Sequence, residues 1–365
     1  MDRVRVGITH GDINGVGYEI ILKAVGDEGV TDLFTPVIFG VPAIAEKAKV
    51  FTENPGLQLN VVSDASEARD GKINIVKLNG PEPHLSPGEV KEDAGRSAVE
   101  ALESAVEALQ SGDIDVLVTA PISKEAVQSE NFHFPGHTEY LTDRIGEGNE
   151  AQMILCNDTL RVALLTKHIP ISKIAENITK ENVTEAIEKL ASTLKKDFGI
   201  VRPRIAVLSL NPHAGDGGLL GSEEEEIIKP VLKDLQHKGV LAYGPFPSDG
   251  FFGHAGYKKF DGILAMYHDQ GLAPFKTIAT NGGVNFSAGL PFVRTSPDHG
   301  TAFDIAWKGE ADATSMRDAI YMAIDIFRRR STYEEASANP LQKHVHERPE
   351  RPDRPERNLK NETDD

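Results

Sequence analysis

One cysteine, one tryptophan, no long hydrophobic run and no excess of positive charge define this 365-residue chain by what is missing. Cys156 has no partner for an intrachain disulfide, and within Met153-Ile154-Leu155-Cys156 it reads as a core thiol. No run of about 18 apolar residues occurs, so no membrane span is expected. A net charge of −17 argues against nucleic acid, whose phosphates demand a basic face. A few local basic groups can still bind small anions. Val4-Arg5-Val6-Gly7-Ile8 is already strand-like, so no signal peptide is expected and the cytoplasm is the expected compartment. The spacings HExxH, GxGxxG and GxxxxGK[ST] are also lacking. Any metal or nucleotide site must therefore be assembled from distant residues.

What is present is alternation. Strand-like runs at Val4–Thr9, Thr35–Phe39, Ile73–Val76, Val116–Thr119, Gln152–Cys156, Arg161–Leu165, Arg204–Ser209, Gly262–Met266 and Gly283–Phe286 interleave with helical patterns. The helical patterns cover Gly17–Ala24, Ala43–Lys49, Ala94–Gln110, Glu139–Ile145, Lys180–Lys195, Glu223–His237 and Ser315–Arg328. This order predicts an α/β protein with a substantially parallel sheet and no internal repeat. The end of the chain, KHVHERPERPDRPERNLKNETDD, is proline-punctuated charge without apolar periodicity. A disordered tail is expected there, its His344 and His346 solvated.

Three histidines follow apolar strands: His168 in LLTKHIPISKI, His213 in VLSLNPHAGDGG and His268 in AMYHDQGLAPFK. Ligands of open α/β sheets gather at carboxyl ends of strands, so the three could converge on a divalent metal. Each alone reads more simply as a loop or core histidine. Their shared placement is what points to a metal. Asp249 and Asp269 are candidate orienting or coordinating carboxylates, or else capping residues.

Anion handling is the second theme. In FPGHTEYL, His137 and Thr138 stand at a helix start, Thr138 as N-cap, where backbone N–H groups attract phosphate. Lys276, Asn285 and Arg294 punctuate a glycine-rich apolar region, and Arg suits bidentate binding of carboxylate or phosphate. Ser222 with Glu225 forms a capping-box pattern, which assigns the acidic run a structural role. His299, Gly300 and Asp304 follow another strand-like run.

Taken together, GDINGVGYEI, TAPISKEA, FPGHTEYL, LNPHAGDGGLLGSEE, AMYHDQGLAPFK and GVNFSAGLPFVRTSPDHGTAFDIA resemble the 4-hydroxythreonine-4-phosphate dehydrogenase family of vitamin B6 biosynthesis, from about residue 3 to residue 330. The resemblance implies two α/β subdomains around a central cleft, as in isocitrate and isopropylmalate dehydrogenases. The bodies would be 1–128 with 300–335, and 129–299, followed by a tail at 336–365. It implies His168, His213 and His268 as ligands of zinc, cobalt, manganese or magnesium. It implies His137, Thr138, Lys276, Asn285 and Arg294 as substrate contacts, with His299, Gly300 and Asp304 beside NAD or NADP. Lys276, Asp249 and Asp269 are the candidate proton carriers. A homodimer is implied, with the active site at the interface and His268, Lys276, Asn285 and Arg294 serving the neighbouring cleft.

The implied reaction is oxidation and decarboxylation of 4-phosphooxy-L-threonine to 3-amino-2-oxopropyl phosphate. A sister dehydrogenase of threonate or erythronate 4-phosphate shares the same residues. A three-histidine metallohydrolase and a non-catalytic metabolite-binding protein are the readings from other classes. The family's first loop usually reads TPGDPAGIGPE, whereas this chain has His10, Ile13, Asn14 and Tyr18 in the corresponding stretch.

Overall fold

The computed structural model describes residues 3–129, 132–280 and 282–340; the charged tail with His344 and His346 lies outside them. Alternating strands and helices build one twelve-stranded sheet. Its strands are β1 (Arg5–Thr9), β2 (Thr35–Gly40), β3 (Leu59–Val62), β4 (Ile73–Lys77), β5 (Val116–Thr119) and β6 (Gln152–Cys156). They continue with β7 (Arg161–Leu164), β8 (Arg204–Leu208), β9 (Leu241–Phe246), β10 (Gly262–Ala265), β11 (Val284–Ala288) and β12 (Arg294–Pro297). The spatial order is β3-β4-β2-β1-β5-β12-β11-β6-β7-β10-β8-β9.

Both flanks are parallel, as the near-continuous apolar runs require of strands buried on both faces. The middle is not. β11 runs antiparallel to β12 and β6, and β6 runs antiparallel to β7. Three reversals leave β7, β10, β8 and β9 pointing opposite to β5 and β12. The polar faces of β11 and β12 mark this departure from a parallel sheet.

Helices cover the sheet. The Glu92–Ser111 helix buries its alanine-rich stripe, including Ala94, Ala98, Ala101 and Ala105, against β1, β2 and β5. The Thr314–Ser337 helix packs on β5, β11 and β12 and runs beyond the expected end at Arg328, into the stretch assigned to the tail. A second apolar cluster joins β7, β8 and β10 to the helix His268–Ile278.

Gly271 and Pro274 are residue types that ordinarily mark turns in a sequence. Both lie inside this last helix. A Cβ at Gly271 would stand 2.9 Å from Leu164 and Val162 side chains and 3.0 Å from Ala265 Cβ. Glycine lets the helix lie directly on β7 and β10, which sets where His268 sits.

Candidate active site

A cleft of about 540 Å³ opens over the middle of the sheet. Side chains alternate between the faces of a strand, so residues two apart share its floor. Arg294 and Ser296 on β12, Asn285 on β11, and Met153 and Leu155 on β6 all line it. Asn285 pairs in register with Ser296 on one side and Leu155 on the other. Thr119 closes β5 beside them.

Arg294 is the electrostatic centre. It is 3 % exposed, yet its hydrogen-bond partners are hydroxyls. Nε and Nη2 donate to Thr119 Oγ1 at 3.2 and 2.6 Å, and Nη1 reaches Ser287 Oγ at 3.1 Å and Thr138 Oγ1 at 3.4 Å. Burial pulls its pKa down to about 10, against the charge of nearby Glu139, so it stays cationic near neutrality. A buried cation held by neutral hydroxyls is costly until an anion joins it.

The helix His137–Ile145 begins at the same place. Its N-cap is Gly136 rather than Thr138, in extended backbone and without a side-chain cap. The first N–H groups are therefore available to an anion. Thr138 turns its hydroxyl to Ser287 at 3.4 Å. Burial, with the Arg294 charge, holds His137 well below the usual imidazole range, so it is neutral.

Beyond the anion pocket stand His168 and His268, ring centroids 5.8 Å apart. They meet because β7 and β10 are parallel neighbours and end together. Bonds of about 2.1 Å from two imidazoles to one ion place ring centres roughly 5–6 Å apart. The pair fits a shared metal. His268 Nδ1 lies 2.7 Å from Asp269 Oδ1, and His168 Nδ1 lies 4.0 Å from Glu139 Oε1. The first is a hydrogen bond, which orients the His268 ring and leaves its Nε2 free; Glu139 stands beyond hydrogen-bond distance of His168. Burial first, then the Lys124 charge, lowers the His168 pKa and favours the neutral, ligating form.

The third histidine does not join them. His213 is exposed on a turn after β8 and is absent from the cleft lining. No group of three metal-ligating side chains forms among the described residues. By contrast His268, Lys276, Asn285 and Arg294, expected to serve a neighbouring cleft, line the same cleft as His137, Thr138 and His168 of their own chain. The residue that stands apart is His213.

Lys276 donates from Nζ to the Asp298 carbonyl at 3.1 Å. Asn285 Oδ1 and His299 Nε2 are buried without a protein partner, two open hydrogen-bonding positions on cleft-lining residues. Gly300 also lines the cleft, whereas Asp304 and Asp249 do not. Asp249 sits in the first turn of the short helix Ser248–Gly253, outside the lining of this chain's cleft.

Sequence reasoning missed several participants. Thr119 and Ser287 hold Arg294, and Lys124, Lys167 and Glu139 line the cleft or its edge. Glu139 was visible in FPGHTEYL two residues after His137; the hydroxyls carried no signal. The glutamates after Ser222 also differ from the expected capping box. A five-residue π-turn, Glu224–Ile228, precedes the helix Lys229–His237, and no side-chain cap forms at Glu223.

Comparison with known proteins agrees with this architecture. Residues 32–323 match the family described as Pyridoxal phosphate biosynthetic protein PdxA. A 4-hydroxythreonine-4-phosphate dehydrogenase of Bacteroides thetaiotaomicron is 52% identical over 350 residues, covering 95% of each chain. A D-threonate 4-phosphate dehydrogenase of Salmonella typhimurium is 38% identical over 329 residues, 89% of this chain and 100% of that one. The crystal structure of 4-hydroxythreonine-4-phosphate dehydrogenase from Klebsiella pneumoniae superposes with a TM-score of 0.77 at 35% identity, covering 90% of this chain and 98% of that one. These relatives are dehydrogenases, and the chain belongs to the PdxA family of pyridoxal phosphate biosynthetic proteins.

Proposed function

We propose that this cleft carries out NAD-dependent oxidation and decarboxylation of 4-phosphooxy-L-threonine, giving 3-amino-2-oxopropyl phosphate. The observation that carries the reading is Arg294: a buried guanidinium on three hydroxyls, beside an uncapped helix start and a pair of imidazoles. A phosphorylated hydroxy acid satisfies all three at once. The names of the relatives supply the particular substrate.

In this reading Arg294, Thr138, His137 and the first amides of the His137–Ile145 helix hold the phosphate. His168 and His268 hold a divalent ion with His213 of a second copy of the chain, so the working unit is a homodimer. When bound, the ion supplies Lewis acidity at the secondary hydroxyl, and NAD supplies a hydride acceptor. Asn285 and His299 orient substrate and nucleotide through their open positions. The oxidised product is a β-keto acid, which loses its carboxylate as CO2. Lys276 delivers the proton to the carbon left behind. Asp269 keeps the His268 ring fixed throughout. The cleft is then the seam between the body of 1–128 with 300–335 and the body of 129–299.

A second reading, oxidation of D-threonate 4-phosphate, draws on the Salmonella relative. Purified protein with Zn2+ and NAD, given each phosphate in turn, separates them by nicotinamide reduction. Faster turnover of 4-phosphooxy-L-threonine is expected. Faster turnover of D-threonate 4-phosphate selects the second reading, and product release without nicotinamide reduction rejects both in favour of a hydrolase.

A further inference from the structure

The loop that carries His213 has an unusual backbone. Six consecutive residues, His213 to Gly218, have positive φ. Three of them carry side chains: His213 (φ 53°, ψ 28°), Ala214 (φ 53°, ψ 42°) and Asp216 (φ 45°, ψ 52°). Each L-residue in this left-handed region crowds its Cβ against the following carbonyl, so successive ones need an external hold.

Glu224 provides it. Its side chain is fully buried, and among the described residues no lysine or arginine pairs with it. Oε1 accepts the N–H groups of Leu210 and Asn211, both at 2.8 Å, and Oε2 accepts Asn211 Nδ2 at 3.0 Å. Glu223 takes the same amide at 2.7 Å. The chain then wraps the carboxylate closely. A Cβ at Gly215 would lie 2.7 Å from Glu224 Oε2 and 2.9 Å from the Gly221 carbonyl. A buried carboxylate without a cation is tolerated only while these donors stay in place. The charge and the loop therefore hold each other.

We propose that Glu224 is a positioning residue: by fixing the left-handed turn it holds the exposed His213 imidazole away from its own cleft, ready for the His168–His268 pair of a second copy. The inference rests on the reading of His213 as the third metal ligand.

The test uses the full-length protein and Zn2+ alone, with affinity measured by competition against a chelating dye and folding followed by thermal melting. Glu224→Ala is expected to weaken Zn2+ at least tenfold, matching His213→Ala, while protection by inorganic phosphate at Arg294 is unchanged. Glu224→Gln, isosteric and neutral, keeps one acceptor and is expected to fall between wild type and Glu224→Ala; it also stands in if the alanine variant does not fold. Folded Glu224 variants with wild-type Zn2+ affinity, beside a weakened His213→Ala, overturn the positioning role alone. Wild-type affinity in His213→Ala overturns the metal reading on which it rests.

Discussion

His10 lies flat on Tyr18, ring centroids 5.3 Å apart and planes 7° from parallel. These are two of the positions where the first loop departs from the usual family pattern, and the structure joins them as one stacked pair. His10 Nε2 meets Ser97 Oγ at 3.2 Å, and Tyr18 OH accepts the Val41 N–H at 2.6 Å. Burial pushes the His10 pKa down from 6.5 to about 4. Nearby Asp12 moves the other way, from 3.8 up to about 6, through burial and the Asp93 charge.

These shifts act oppositely on stability. Between pH 6.5 and 4 the unfolded chain protonates His10 and the folded chain does not, so that contribution is lost as pH falls. Between pH 4 and 6 the folded chain keeps a proton on Asp12 that the unfolded chain releases, so that contribution is lost as pH rises. Each is worth roughly 3 kcal/mol, and they offset. His10→Phe should therefore make the protein gain stability from pH 6 to 4 relative to wild type, and Asp12→Asn should make it lose stability. Urea unfolding at both pH values checks this; parallel shifts in the two variants contradict it.

Arg294→Met removes the buried cation and leaves its three hydroxyls. Losing one half of a desolvated charge contact costs about 2–5 kcal/mol of substrate binding, a fall in kcat/KM of some thirtyfold to several thousandfold. Without ligand the variant should melt no lower than wild type, because an unpaired buried charge has gone. Melting with and without inorganic phosphate is the measurement: protection retained in Arg294→Met would place the anion elsewhere.

Metal affinity should depend on pH through His168. Lys124 lowers its pKa and Glu139 raises it. Lys124→Ala should shift the acid limb of Zn2+ binding to higher pH, and Glu139→Gln should shift it lower. Titrations that leave the limb in place in both variants would remove His168 from the metal.

Gly271→Ala tests how the histidine pair is set. The added methyl meets Leu164, Val162 and Ala265 and must push the His268–Ile278 helix off the strands. A cost of about 1–3 kcal/mol is expected, with weakened Zn2+ affinity. Unchanged melting and metal binding would show that the helix is not held by this contact.

Much of the fold could be read from local pattern. β5 and β6 fall where their apolar runs place them, because central strands are buried on both faces. Edge strands β3 and β9 were missed, since half-exposed Leu59–Val62 and the Gly244-Pro245 dipeptide break the pattern. β12 hides differently: Arg-Thr-Ser-Pro is polar yet buried on every residue, the Thr295 hydroxyl and the Arg294 guanidinium bonded to other elements. At the site, parallel β7 and β10 deliver His168 and His268 together as strand-end logic requires. The loop after β8 turns left-handed, and that conformation has no signature in residue type beyond its glycines.

The reversals at the centre of the sheet have a geometric consequence. Arg294 opens β12, whereas His168 and His268 come after the close of β7 and β10. With every strand aligned, a start and a finish would face opposite rims, about 13 Å apart for strands of four residues. Because β11 and β6 turn the direction back, both kinds of end reach one rim, and the guanidinium and the imidazoles come to line a single cleft.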